Sequence, residues 1–104
     1  VQGLDSGNYE FTHVVATVTA SGDTVVYTPA AGKRIRVYWS YAINDPGSSA
    51  SPLIKIILGG TEKFRVYALS KRQQMTGPVD GTLVVNLSTA ASVAVTFVLE
   101  EVGA

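Results

Sequence analysis

Residues 33–44 read Lys-Arg-Ile-Arg-Val-Tyr-Trp-Ser-Tyr-Ala-Ile-Asn, and residues 93–99 read Val-Ala-Val-Thr-Phe-Val-Leu. In both runs every second position is apolar, the period of an extended strand whose successive side chains project to opposite faces. The competing helical pattern, apolar residues at i, i+3, i+4 and i+7 among good helix formers, occurs nowhere in the chain. Val, Thr and Ile, which are stiff at χ1 and suit strands, dominate instead. Strands are expected over residues 10–19, 24–28, 33–44, 53–58, 61–70, 82–88 and 92–102, with a short eighth at 73–76.

Turn chemistry separates these runs: Ser21-Gly22-Asp23, Pro29-Ala30-Ala31-Gly32, Asp45-Pro46-Gly47-Ser48-Ser49, Gly77-Pro78 and Asp80-Gly81. Gly59 and Gly60 stand alone between Leu58 and Thr61. A two-residue loop needs positive φ, which glycine supplies freely, so a hairpin is expected there. Alternation assigns the faces. Ile35, Val37, Trp39, Tyr41 and Ile43 share one side, against Arg34, Arg36, Tyr38 and Ser40. Phe64, Val66 and Ala68 oppose Arg65 and Tyr67, while Leu83, Val85, Leu87, Val93, Val95, Phe97 and Leu99 add further apolar positions. The expectation is an all-β fold, an antiparallel β-sandwich or jelly roll of seven to eight strands, with Trp39 in the core. Residues 10–104 form its single domain. Residues 1–9, aperiodic with two glycines, are read as an N-terminal arm, and Asn44 to Pro52 as a projecting loop.

A chain of 104 residues buries about two-thirds of its surface on folding, and 46% hydrophobic residues fill that core. Cysteine is absent and histidine occurs once, which excludes disulfides and thiolate chemistry; no cofactor and no metal are expected. No apolar run approaches the roughly 18 residues that span a bilayer, so no membrane association is expected. Val1-Gln2-Gly3-Leu4-Asp5 lacks the basic start of a signal peptide, and synthesis in the cytoplasm is the expectation.

The zero net charge conceals a segregation. All eight cations lie between Lys33 and Arg72, with only Asp45 and Glu62 among them, a local +6; each flanking segment carries −3. Such segments neutralise each other within a monomer or between copies. Overall neutrality argues against nucleic acid as a partner. The lone His13 alternates with Val14 on a strand and lacks a nucleophile and an orienting acid. Asp23, Asp45 and Asp80 each adjoin Gly, Pro or a turn, where Asx-turn formation accounts for them. Glu100 and Glu101 fall on opposite strand faces and make a poor catalytic pair. No enzyme is expected. One echo stands out: Arg34-Ile35-Arg36-Val37-Tyr38 and Lys63-Phe64-Arg65-Val66-Tyr67 share the order basic, apolar, Arg, Val, Tyr.

The run Gly-Lys-Arg-Ile-Arg-Val-Tyr-Trp-Ser-Tyr-Ala-Ile from Gly32 resembles the opening strand of small β-sandwich proteins of tailed-phage virions. The ending Asp-Gly-Thr-Leu-Val-Val-Asn-Leu-Ser-Thr-Ala-Ala-Ser-Val-Ala-Val-Thr-Phe-Val-Leu-Glu-Glu-Val from Asp80 is similar to their closing hairpin. The pattern covers residues 12–102, and in size the chain is most like the head decoration, or cement, proteins. That resemblance implies a structural protein made in the host cytoplasm and located on the capsid surface of the virion. It further implies a homotrimer that stabilises the head by bridging subunits of the major capsid protein. It transfers no functional residues. A tail, baseplate or fibre module of the same fold is an alternative, though such modules usually belong to longer chains with repeats. A carbohydrate-binding module is another; it would expose several aromatics on one face, whereas alternation puts Trp39 inside. The candidate protein interface comprises Val1, Leu4 and Tyr9 as apolar anchors on the arm, and Arg34, Arg36, Lys63 and Arg65 as outward cations for an acidic surface.

Overall fold

A computed structural model of the protein describes residues 11–45 and 51–103, and among these there is no helix. The described residues form nine strands: β1 (Thr12–Val18), β2 (Gly22–Tyr27), β3 (Lys33–Asn44), β4 (Ile54–Leu58), β5 (Thr61–Val66), β6 (Leu69–Lys71), β7 (Met75–Thr76), β8 (Leu83–Leu87) and β9 (Val93–Gly103). Two antiparallel sheets pack together. One runs β1-β9-β3-β6, with β7 also on β3; the other runs β2-β8-β4-β5. The pairs are nested, β1 with β9, β2 with β8, β3 with β6 and β7, and β4 with β5. The chain thus pairs like one long hairpin folded over on itself, with Gly59 and Gly60 at its tip.

That tip is the expected two-residue turn: Leu58 faces Thr61, and Gly59 and Gly60 have φ of 60° and 83°. The core lies between the sheets, where Ile35, Val37, Ile54, Ile56, Leu58, Leu83, Val85, Val93, Val95, Phe97 and Leu99 are wholly buried. Each occupies alternate positions of its strand, as a sheet with one covered face requires. One end of the molecule is closed by residues 77–82. Gly77 N–H donates to Ile35 O, Asp80 N–H to Lys33 O and Gly59 N–H to Thr82 O. The Asp80 carboxylate also accepts from Gly32 N–H at 2.7 Å, a contact between distant loops rather than an Asx turn.

Two expectations are corrected. The run 61–70 is not one strand: it breaks at Tyr67 and Ala68, both exposed, and its two parts join different sheets as β5 and β6. Ala68 therefore contributes nothing to the core. Trp39 is not in the core either. β3 pairs Val37 with Leu99 but Trp39 with Val98, so Tyr38 is an extra residue in a β-bulge. With a side-chain period of two, one inserted residue inverts every position beyond it. Ser40 and Ala42 turn inward, and Trp39, Tyr41 and Ile43 turn outward. Small side chains thereby sit opposite large ones in the core, Ser40 across from Phe97 and Ala42 across from Val95.

Candidate functional site on the outer face of one sheet

The bulge decides what the outer face of the β1-β9-β3-β6 sheet presents. Register places side chains in rows across it: His13, Val98 and Trp39; Val15, Thr96, Tyr41 and Ser70; Thr17, Ala94 and Ile43. The Trp39 and Tyr41 rings lie 5.7 Å apart, tilted by 39°. Toward the closed end, Phe11 meets the Tyr38 ring edge to face at 5.1 Å. Phe11, Val15 and Ile43 are exposed, Val15 by 75%, and Trp39, Tyr41 and Val98 are half-buried. The result is a surface of aromatic and β-branched side chains, and aromatic residues are enriched at protein interfaces.

A small polar group borders it. The Tyr38 hydroxyl donates to Oε1 of Glu100 at 2.5 Å, and the Arg36 guanidinium lies 3.6 Å from the same oxygen. The hydrogen bond to Glu100 holds the Tyr38 phenol above its ordinary pKa, opposed by the nearby Arg36 charge. Arg34 is exposed on the same strand. Two cations, Arg34 and the Glu100-paired Arg36, thus border the face at this end.

The outer face of the other sheet is different. One row crosses all four of its strands as Asp23, Asn86, Lys55 and Arg65. Asn86 Nδ2 donates to Asp23 at 2.7 Å, so this aspartate serves a cross-strand contact and not a turn. Arg65 grips Glu62 through two hydrogen bonds of 3.0 and 3.1 Å. That contact pulls the Glu62 carboxyl below its ordinary range.

The four cations expected to face one partner are thus divided between opposite sides of the molecule. Arg34 and Arg36 lie on β3, with Arg36 beside Glu100; Lys63 and Arg65 lie on β5, with Arg65 paired to Glu62. The echo of the two strands in sequence does not make one basic surface. Val1, Leu4 and Tyr9 lie outside the described residues, as do residues 46–50 of the expected loop. His13 is exposed on β1. Among the described residues, no pocket opens and no group of three His, Asp or Glu side chains comes together.

The aromatic face escaped the sequence reading because strict alternation carried Trp39 and Tyr41 inward. The one local hint was Ser40, a hydroxyl assigned outward between two large rings, where the inverted arrangement gives a tighter core. Compared with protein families, with curated proteins and with solved structures, the chain matches none.

Proposed function

We propose that the protein is a non-enzymatic structural component of a tailed-phage virion that decorates the capsid surface. In this reading it stabilises the head by bridging neighbouring subunits of the major capsid protein. The observation that supports it is the difference between the two outer faces: one presents the Trp39 and Tyr41 rings among apolar side chains, whereas the other has no aromatic ring in its rows and sets the polar row Asp23, Asn86, Lys55 and Arg65 beside Val25, Val84 and Ile57. A small domain with one such face is suited to one-sided docking on a flat protein surface. The nested strand order supports a finer reading of the fold as a jelly roll, an architecture used by viral capsid domains. Residues 1–9 are proposed as an arm reaching a neighbouring subunit, and the trimeric state is proposed from the resemblance alone. Ordering nine residues costs about 1–2 kcal/mol each in backbone entropy, so such an arm must bury substantial area.

Binding of purified protein to heads stripped of decoration tests this. Replacing both Trp39 and Tyr41 by Ala is expected to abolish binding, whereas Lys55→Ala with Arg65→Ala leaves it intact. Deleting residues 1–9 is expected to weaken binding more than Arg34→Ala or Arg65→Ala alone. Equal losses from both double variants, with the free proteins melting alike, would overturn the docking face.

A carbohydrate-binding module is favoured by one specific observation: the Trp39 and Tyr41 rings share the outward face, which removes the objection raised by their expected burial. Retention on a glycan array, lost in the same aromatic variant, would establish that reading in place of the first.

A further inference from the structure

The four edges of the two sheets are protected unequally. β5 carries Glu62, Lys63 and Arg65 and meets β4 through a bulge. β2 carries Asp23 and a bulge between Val25 and Tyr27. At the far edge of the first sheet, β6 and β7 are only three and two residues long. Charge, bulges and brevity are the usual devices that stop an edge strand from recruiting another chain. β1 has none of them. Its sequence, Thr-His-Val-Val-Ala-Thr-Val, contains no Lys, Arg, Asp, Glu or Pro, and it pairs with β9 over seven consecutive residues without a shift. Among the described residues no strand pairs with its other side. It therefore offers a straight row of backbone N–H and C=O groups, with Val15 on the outer face 75% exposed.

We infer that β1 pairs antiparallel with β1 of a second copy of this chain, about a twofold axis at Val15. This contact goes beyond the docking role and does not depend on it. The segment complements itself in this register. Val15 faces Val15 of the second copy, His13 faces Thr17, Val14 faces Ala16 and Thr12 faces Val18. No like charges meet, and in the Val15–Val15 and Thr12–Val18 pairs β-branched side chains oppose one another, a favourable cross-strand arrangement. The β1-β9-β3-β6 sheets of two copies become one continuous sheet, and their apolar outer faces become one surface. A contact of this symmetry closes after two copies, so in a trimeric protein it would join subunits of different trimers.

Sedimentation of the free protein with paired charge variants tests the contact. The wild type is expected to form even-numbered species. Val15→Lys and Val15→Glu should each weaken association by about tenfold or more, because like charges then face each other across the axis. Mixed in equal amounts, the two variants should associate with each other. Thr96→Lys, in the middle of the outer face but away from the edge, should leave association unchanged. Circular dichroism and melting of the variants serve as the folding control, since the Val15 side chain is mainly in solvent. A wild type that stays monomeric at high concentration, or forms trimers without even-numbered species, would overturn the inference. So would loss of association in Thr96→Lys, or failure of the mixed variants to pair.

Discussion

The hydroxyl of Tyr27, at the end of β2, donates a hydrogen bond to Oε2 of Glu101 on β9, 74 residues away and in the other sheet. The second carboxylate oxygen accepts from Ala30 N–H at 2.9 Å. One side chain thus fastens the two sheets and the loop leading into β3, at the end where residues 77–82 also close the molecule.

This contact predicts how stability varies with pH. The Tyr27 hydrogen bond, with the Ala30 N–H second, holds the Glu101 carboxyl below its ordinary pKa. A depressed carboxyl contributes stability above its unfolded value, about 4.3, and loses it as pH falls through the lower folded value. The same bond raises the Tyr27 phenol, with burial adding to it. A raised phenol contributes fully below about 10 and loses its contribution as pH rises through the higher folded value. Tyr27→Phe should therefore lower the melting temperature at neutral pH and flatten both limbs of the profile. An unchanged profile in thermal melts at graded pH would refute the coupling.

Trp39 and Phe97 should differ sharply on truncation. Phe97 is wholly buried, and Phe97→Ala should cost about 3–5 kcal/mol in urea denaturation. Trp39 is half-exposed on the outer face, so Trp39→Ala should cost less than about 2 kcal/mol. Because Trp39 is the single tryptophan, acrylamide should quench the native fluorescence readily. A shielded tryptophan would restore the core assignment.

Gly59 is held by both conformation and space. Its φ is positive, and a Cβ there would stand 2.1 Å from Cδ of Pro78. Gly59→Ala should cost about 2–4 kcal/mol, strain and overpacking together. Gly60 has φ of 83° with open space around it, so Gly60→Ala should cost about 1–2 kcal/mol. Equal costs in denaturant midpoints would show that the contact with Pro78 is unimportant.

Ser40 is 1% exposed, and its Oγ has no hydrogen-bond partner among the described residues. A buried hydroxyl without a partner carries a desolvation cost. Ser40→Ala should therefore stabilise the protein by about 1 kcal/mol, with the urea midpoint raised and the slope unchanged. A clear loss of stability would mean that the hydroxyl is satisfied.

The sequence by itself determined the strand class, most strand positions, the Gly59 and Gly60 hairpin and the inner faces of β8 and β9. Each of these follows from local properties: χ1 stiffness, a period of two, and the positive φ open to glycine. Tertiary structure decided the rest. Whether residues 61–70 remain one strand depends on which sheet each half joins, and no local preference marks the break at Tyr67. The parity of β3 beyond Tyr38 depends on its pairing with β9, whose unbroken alternation buries Val95 and Phe97 and leaves room across from them only for Ala42 and Ser40. The same long-range pairing set Arg34 and Arg36 apart from Lys63 and Arg65, because two similar strands were assigned to opposite sheets. The aromatic face is a product of that register: local alternation says that Trp39 and Tyr41 share a side, and only packing against the partner strand chooses which side faces water.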